Sequence, residues 1–417
     1  MQFISKQFTY TCLFFIGISI LIYSCKKQPN KLKNGIWKAE LIRDDGKSIV
    51  FNLEIADSNN HQQIFITDEK MSIDSLELRN DSVFIFMPFF DSYFACKIVS
   101  SRELQGKWYK NKGDHYESMP FRAIYGKIDL FAATLPGNQD ISGTWNTQFI
   151  RPNGSNFQGI GLFKQQGNQV TGTFFTPSGD FRFLQGVVTG DTLKLSGFDG
   201  SHAFYFQALV HKNELTDGKV YSYNNEPNSW HAVRQDYKAL PENFAVQPIA
   251  PQTVKLNFSL KDMRTGQSVS LNDDRYRNKV VVLQMLGSWC PNCMDEAPFM
   301  IDYYNKNRDK GLEFIAIDFE RTVDFDKSKR AIHSFLKRFD FDYPIVHSGV
   351  AASDPDLTDK IFPGLPVKVT AFPTSIFIDR AGYVRFVHGG FNGPATGKFY
   401  TQFKQEFNDI VTSLLTE

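Results

Sequence analysis

Two tandem antiparallel β modules, each a barrel or a sandwich, followed by one α/β domain are the fold the sequence predicts. Three observations carry it. Residues 34–235 read as short runs of strand period broken by Gly, Asn and Asp. Part of that pattern recurs at an offset of 108 residues, from Gly35 to Gly143. After a proline-interrupted stretch at 236–252, strand runs begin to alternate with helical ones. A length of 417 residues is itself a prior for about three domains. Hydrophobic residues at 42% and charged residues at 22% exclude a mainly disordered chain and a coiled coil. Forty-six Lys and Arg against 45 Asp and Glu leave a formal charge of +1, so no basic field exists to hold phosphate backbones, and nucleic acid is excluded as a partner. Forty Phe fit pleated sheet cores and need no binding stripe to explain them.

The chain opens with a targeting pattern. Lys6 precedes an apolar run from Thr11 to Tyr23, too short to span a bilayer comfortably, which ends in Ile22-Tyr23-Ser24-Cys25. That ending resembles a bacterial lipobox. The resemblance implies that residues 1–24 are a lipoprotein signal peptide and that Cys25 becomes a lipidated mature N-terminus. The alternative is a signal anchor that is never cleaved. Either way the body faces an oxidising, extracytoplasmic space, and no later stretch is apolar enough to span. The expected location is the bacterial cell envelope, lipid-anchored and facing the periplasm or the cell surface, with the bilayer as a partner through this anchor. Residues 25–33, with Lys26, Lys27, Pro29, Lys31 and Lys33, read as a solvated basic spacer.

The first β module is expected over 34–131 and the second over 140–235, with a linker around Pro136-Gly137 between them. Ser48 to Ile55, Ser82 to Met87, Gln169 to Phe175 and Asp191 to Leu195 have strand alternation and turn-rich flanks. The repeat pairs Gly35-Ile-Trp37 with Gly143-Thr-Trp145, and Arg43 to Gly46 with Arg151 to Gly154. Each copy has enough strands for a closed or nearly closed sheet, which removes sticky edges. The Gly-x-Trp opening resembles the first strand of lipocalins in architecture only, so Trp37 and Trp145 are read as core plugs. Cys96 lies in a strand pattern and is read as a small buried apolar residue. The loop from Tyr221 to Trp230 is read as an ordinary turn. Pro241, Pro248 and Pro251 make 236–252 an exposed linker.

The α/β part, 253–417, begins with a buried-strand run at Lys279 to Leu283. A helix follows over Pro298 to Arg308, then a strand over Leu312 to Ile317 and a helix over Lys327 to Phe339. Between the first strand and the first helix stands Gly287-Ser-Trp-Cys-Pro-Asn-Cys293, which holds the only C-x-x-C among five cysteines. A cysteine at a helix N-terminus has its thiolate favoured by free amide donors and the macrodipole, which makes Cys290 the candidate nucleophile. Cys293, one turn deeper and within disulfide reach, suits a resolving thiol. A purely structural disulfide and half a zinc site remain as alternatives, although no second C-x-x-C and no close His pair completes a metal set.

Asn278 to Pro298 and Thr370-Ala-Phe-Pro-Thr-Ser-Ile-Phe-Ile-Asp-Arg-Ala-Gly382 together resemble the TlpA/ResA-like thiol-disulfide oxidoreductases of the bacterial cell envelope. The resemblance implies a thioredoxin-like domain with a redox-active Cys290–Cys293 disulfide, no metal and no cofactor. It implies client proteins with cysteines or disulfides and a membrane thiol as electron donor. Pro373 matches the cis-proline facing the disulfide; Phe372 and Trp289 join it as substrate-binding residues. Glu296 matches an active-site glutamate whose role is proton exchange with the thiols. Two positions depart from related patterns. Gln284 stands where many thioredoxins carry a buried Asp, and it cannot titrate. Pro291-Asn292 brings no imidazolium to lower the thiol pKa, which favours a reductase over a strong oxidant.

The runner-up activity is a thiol peroxidase, but Leu283 and Gly287 stand where the peroxiredoxin motif needs Pro and Thr or Ser. A third reading is a ligand- or client-binding lipoprotein whose β modules carry the function.

Overall fold

The computed structural model describes residues 31–417 apart from 59–60, 67–70, 74, 114, 127–128, 238–239, 242–243 and 245. The signal peptide, Cys12 and the expected lipidation site Cys25 lie outside the described residues.

The first strands are β1 (Gly35–Ile42), β2 (Ser48–Ser58), β3 (His61–Ile66), β4 (Met71–Ile73), β5 (Ser75–Arg79), β6 (Ser82–Phe86), β7 (Ser92–Ser100), β8 (Glu103–Asn111) and β9 (Tyr116–Tyr125). They form one nine-stranded antiparallel sheet in the order β4-β3-β2-β1-β9-β8-β7-β6-β5. A second sheet holds β10 (Gly143–Ile150), β11 (Asn156–Gln166), β12 (Gln169–Thr176), β13 (Gly179–Asp180), β14 (Leu184–Thr189), β15 (Thr192–Phe198), β16 (Ala203–His211), β17 (Glu214–Ser222) and β18 (Asn228–Arg234). Here a further pairing of β11 with β12 closes the sheet on itself, leaving no open edge in the ring. Both sheets are barrel-like. Strand alternation explains them: in β1 Trp37, Ala39 and Leu41 face inward, at register positions Leu53, Phe51 and Ile49 of β2.

Trp37 and Trp145 are both fully buried, and each indole donates to the carbonyl four residues earlier, Lys33 at 2.9 Å and Ile141 at 2.9 Å. Burial of a large ring with its N–H satisfied is how a Trp plugs a sheet interior. The hairpins behind them also match. Arg43 N donates to Lys47 O, and Arg151 N to Ser155 O, each at 2.8 Å. Gly46 and Gly154 take φ of +78° and +82°, the left-handed conformation that such turns need. Cys96 is buried, which pushes its thiol up to about 12.

The third sheet contains β19 (Gln247–Pro248), β20 (Ser259–Asp262), β21 (Ser268–Ser270), β22 (Val280–Leu286), β23 (Leu312–Asp318), β24 (Ile345–His347), β25 (Thr374–Ile378) and β26 (Val384–Gly389). Its order is β19-β26-β25-β22-β23-β24-β20-β21, with β22, β23 and β24 parallel and β25 antiparallel to β22. The helices are α1 (Pro291–Asn307), α2 (Phe325–Arg338), α3 (Leu357–Ile361) and α4 (Lys398–Thr416). All seven residues of β22 are buried because both faces of the sheet are covered. Val280, Val282 and Leu286 join one core with Met300 and Phe407, while Val281, Leu283 and Met285 join another with Leu357 and Phe362. Among the described residues no helix is long and apolar enough to cross a membrane.

Three expectations are corrected. Residues 236–252 are not simply exposed: Tyr237, Phe244 and Ile249 are buried, and Gln247–Pro248 pairs with Val387 and Phe386 at the sheet edge. Phe244 packs on Phe175 of the second sheet, so apolar side chains override the proline signal. The described end of the basic spacer is also docked. Leu32 is buried and exchanges hydrogen bonds with the Gln62 amide. The loop from Tyr221 to Trp230, expected to be an ordinary turn, ties the two barrel-like sheets together. Tyr223 stacks on Trp108 at 5.4 Å, and Asn224 accepts from Asp44 N.

Candidate active site

The buried run of β22 drives straight into Gly287, Ser288 and Trp289, and the chain turns into α1 at Cys290. Gly287 is required there because a Cβ would press on Trp289 and meet the Phe319 carbonyl at 2.6 Å. Cys290 is the N-cap residue of α1 and Pro291 takes its first turn, where a missing N–H costs nothing. The Cys293 N–H points at Cys290 Sγ at 3.2 Å, one of the free amide donors of the helix start aimed at the sulfur. Cys290 and Cys293 form a disulfide across a Cα separation of 5.3 Å, within the ordinary range for such bonds. Cys290 retains 3% of its surface and lines a cleft, whereas Cys293 retains none, so the pair is approached from the Cys290 side.

The Phe372–Pro373 peptide is cis, and Phe372 O lies 3.5 Å from Cys290 Sγ. Thr370 to Phe372 lie outside every strand and form no backbone–backbone hydrogen bond among the described residues. Trp289 is fixed by its indole N–H donating to Phe319 O at 2.8 Å and packs edge-on against Phe372 at 5.4 Å. Trp289, Cys290, Phe372 and Pro373 thus meet at one end of the third sheet.

Beneath the disulfide, Glu296 is fully buried on α1, three residues after Cys293 and so on the same face. Burial pushes its carboxyl up to about 8, and a hydrogen bond from Gln284 draws it partly back. Gln284 Nε2 donates to Glu296 Oε2 at 2.7 Å while its carbonyl accepts from Tyr343 at 3.3 Å. The carboxyl, one helical turn from Cys293, is thus raised into the range where a group can exchange protons near neutral pH.

Three groups were missed from sequence. Gln284, noted only as unable to titrate, is the direct partner of Glu296. Asp318 and Glu320 at the end of β23 are both buried and both pushed up to about 8 by burial, and Glu320 accepts from Ser288 N at 2.7 Å. Finally, the turn between β12 and β13 of the second sheet reaches the site. Arg182 pairs with Asp295 at 2.9 Å, and Asp180 accepts from Gly393 N at 2.7 Å. No sequence signal links positions 182 and 295, because the contact exists only once the second and third sheets have docked.

The site so built, with one reachable sulfur at a helix N-terminus, a second behind it and a cis-proline loop facing them, defines a thiol-disulfide oxidoreductase on a thioredoxin-like domain. Sequence comparisons with known proteins agree. Residues 250–400 match the Redoxin family. The thiol-disulfide oxidoreductase ResA of Bacillus cereus is 31% identical over 150 residues, which are 36% of this chain and 73% of the relative. ResA of Bacillus subtilis is 33% identical over 128 residues, covering 31% and 61% of the two chains. A crystal structure of a thioredoxin-family thiol:disulfide interchange protein from Chlorobium tepidum is 22% identical. It covers 40% of this chain and 99% of that one, with a TM-score of 0.31. Through its C-terminal part the chain belongs to the ResA-like thiol-disulfide oxidoreductase family.

Proposed function

We propose that this oxidoreductase is tethered to a membrane in the bacterial cell envelope and exchanges disulfides with client proteins, working as a reductase. The observation that carries the exchange reading is the asymmetry of the disulfide: Cys290 lines the cleft beside Phe372 O and keeps the little surface the pair has, and Cys293 is sealed. In the dithiol state the Cys290 thiolate attacks one client sulfur, and the other client sulfur leaves as a thiolate. Glu296 takes the Cys293 proton, and the Cys293 thiolate attacks Cys290 in the mixed disulfide. The Cys290–Cys293 bond forms, the second client thiolate leaves, and Glu296 returns a proton to it. The client gains two electrons and the chain loses two, which a membrane dithiol donor restores. Trp289, Phe372 and Pro373 hold the client segment, whose backbone runs along Thr370 to Phe372, a stretch with no backbone–backbone partner among the described residues. The reducing direction rests on the uncharged Asn292 between the cysteines.

The tether is the lipid on Cys25 after removal of residues 1–24, supported by the lipobox-like ending. The two barrel-like sheets are read as tandem copies, 34–131 and 140–235, joined through 236–252 to the thioredoxin-like unit 253–417. The matched Trp37 and Trp145 bonds support the duplication. Reduction of insulin disulfides by the full chain with a dithiol donor tests the activity. Turnover lost in Cys290→Ala is the expected result, and no turnover by the wild type would overturn it. A mature chain with no lipid mass at Cys25 would overturn the tether.

A further inference from the structure

The reachable sulfur does not face open solvent. A cleft of ≈ 830 Å³ lies over it, with Cys290, Trp289 and Thr370 to Phe372 on one wall and Phe157, Phe181 and Phe204 of the second sheet on the other. Those rings are held in place: Phe157 stacks on Phe149 at 4.9 Å, and Phe181 meets Phe204 at 5.0 Å.

The opposing wall is pinned to the redox domain by contacts that only close docking allows. Arg182 and Asp295 pair at 2.9 Å with both side chains largely buried. Asp180 Oδ2 accepts from Gly393 N at 2.7 Å. Asn292, the residue between the two cysteines, faces the Asp180 backbone and carboxylate at 3.2 and 3.3 Å in the orientation that satisfies both groups. A Cβ on Gly390 would meet Ser178 C at 3.0 Å, so the turn lies directly on glycine backbone. Ser201 Oγ donates to Trp289 O at 3.2 Å, fixing the active-site loop to the same sheet.

A cleft of this volume is in the range of small-ligand pockets, about 300–1,000 Å³, and suits a single extended segment better than the curved surface of a folded domain. Its floor offers a sulfur and the backbone of Thr370 to Phe372, which lies outside every strand, and its roof offers aromatic rings. We propose that the second β sheet sets substrate specificity, admitting a cysteine-bearing extended segment with an aromatic or large apolar side chain beside the cysteine. Phe157, Phe181 and Phe204 are the specificity-determining residues. Disulfides held inside folded domains are excluded by the wall. This rests on Cys290 being the attacking thiol.

The test uses the full chain and three disulfide probes: hydroxyethyl disulfide, a short disulfide-linked peptide with Phe beside its cysteine, and the same peptide with Ser there. Wild type should reduce the Phe peptide with a kcat/KM at least about tenfold above the Ser peptide, the discrimination an apolar pocket supplies. In Phe157→Ser/Phe204→Ser, confirmed as folded by cooperative urea unfolding, the two peptides should fall within about twofold of each other. Equal wild-type rates for the two peptides would overturn the proposal whether or not that variant folds. A preference retained in a folded variant would overturn it too. A folded protein with an exposed disulfide, reduced by wild type as fast as the Phe peptide, would overturn the exclusion by the wall. A wild type that leaves even hydroxyethyl disulfide intact would instead bring down the exchange reading on which the proposal rests.

Discussion

Gln284 Nε2 donates to Glu296 Oε2 at 2.7 Å in the interior of the redox domain, with neither side chain meaningfully exposed. An ionised carboxylate there would have little but this amide to stabilise it, so burial dominates and the carboxyl is pushed up to about 8. Gln284 cannot titrate, so of this buried pair only Glu296 can exchange a proton.

A carboxyl whose folded pKa lies above its unfolded value binds its proton more tightly in the folded chain. Its contribution to stability is therefore present below about 4.5 and decays as pH rises towards about 8. Glu296→Gln should flatten this decay, leaving the variant more stable than wild type at pH 8 by an amount on the order of a few kcal/mol. Urea unfolding at several pH values measures it. An unchanged slope would show that Glu296 does not titrate in this window.

The exchange rate should carry the same group. Wild type is expected to show an inflection near pH 8 that Glu296→Gln lacks, with the Cys290–Cys293 disulfide still able to form. Gln284→Leu removes the bond that lowers the Glu296 pKa, so its inflection should move to higher pH. It should also cost about 1–3 kcal/mol of stability. Superimposable pH profiles for all three proteins would remove Glu296 from the mechanism and leave the cysteine roles standing.

Glu320 acts through the loop that carries the cysteines, as the acceptor for Ser288 N. Glu320→Ala leaves that buried amide unpaired, so a loss of about 1–3 kcal/mol is expected, together with slower exchange. Glu320→Gln keeps an acceptor oxygen and should restore most of both. If the two substitutions behave alike, Glu320 is not a positioning residue.

Arg182 and Asp295 join the second sheet to α1 as a largely buried pair. Arg182→Ala strands an acidic group beside Asp180, itself already raised to about 7 by burial and by the Asp295 charge, so a loss of about 3–5 kcal/mol is expected. Arg182→Ala/Asp295→Asn should recover part of it. Chemical denaturation of the single and double variants closes the cycle, and additive losses would contradict a coupled pair.

How much of this was legible in the sequence follows the range of the interactions. Cys290, Cys293 and Pro373 sit in contiguous motifs whose chemistry is local, the strand period of β1 is set by neighbours two residues away, and β22 shows as an unbroken apolar run from Val280 to Leu283. Trp37 and Trp145 were readable as plugs because the repeat put both in one register. The helix α1 starts at Pro291, earlier than the run at Pro298 suggested, because the cap is supplied by Cys290 itself. The burial of Phe244 and the Arg182–Asp295 pair depend on how separate sheets dock, and no period or spacing encodes that.

The central claim is that Cys290 attacks and Cys293 resolves. Its most direct measurement is the mass of the covalent adduct formed when Cys293→Ala and Cys290→Ala, each reduced beforehand, are mixed with a disulfide-linked peptide under non-reducing conditions. A stable mixed disulfide is expected on Cys290 in Cys293→Ala and none on Cys293 in Cys290→Ala. An adduct on Cys293 that forms as fast as the one on Cys290 would contradict it.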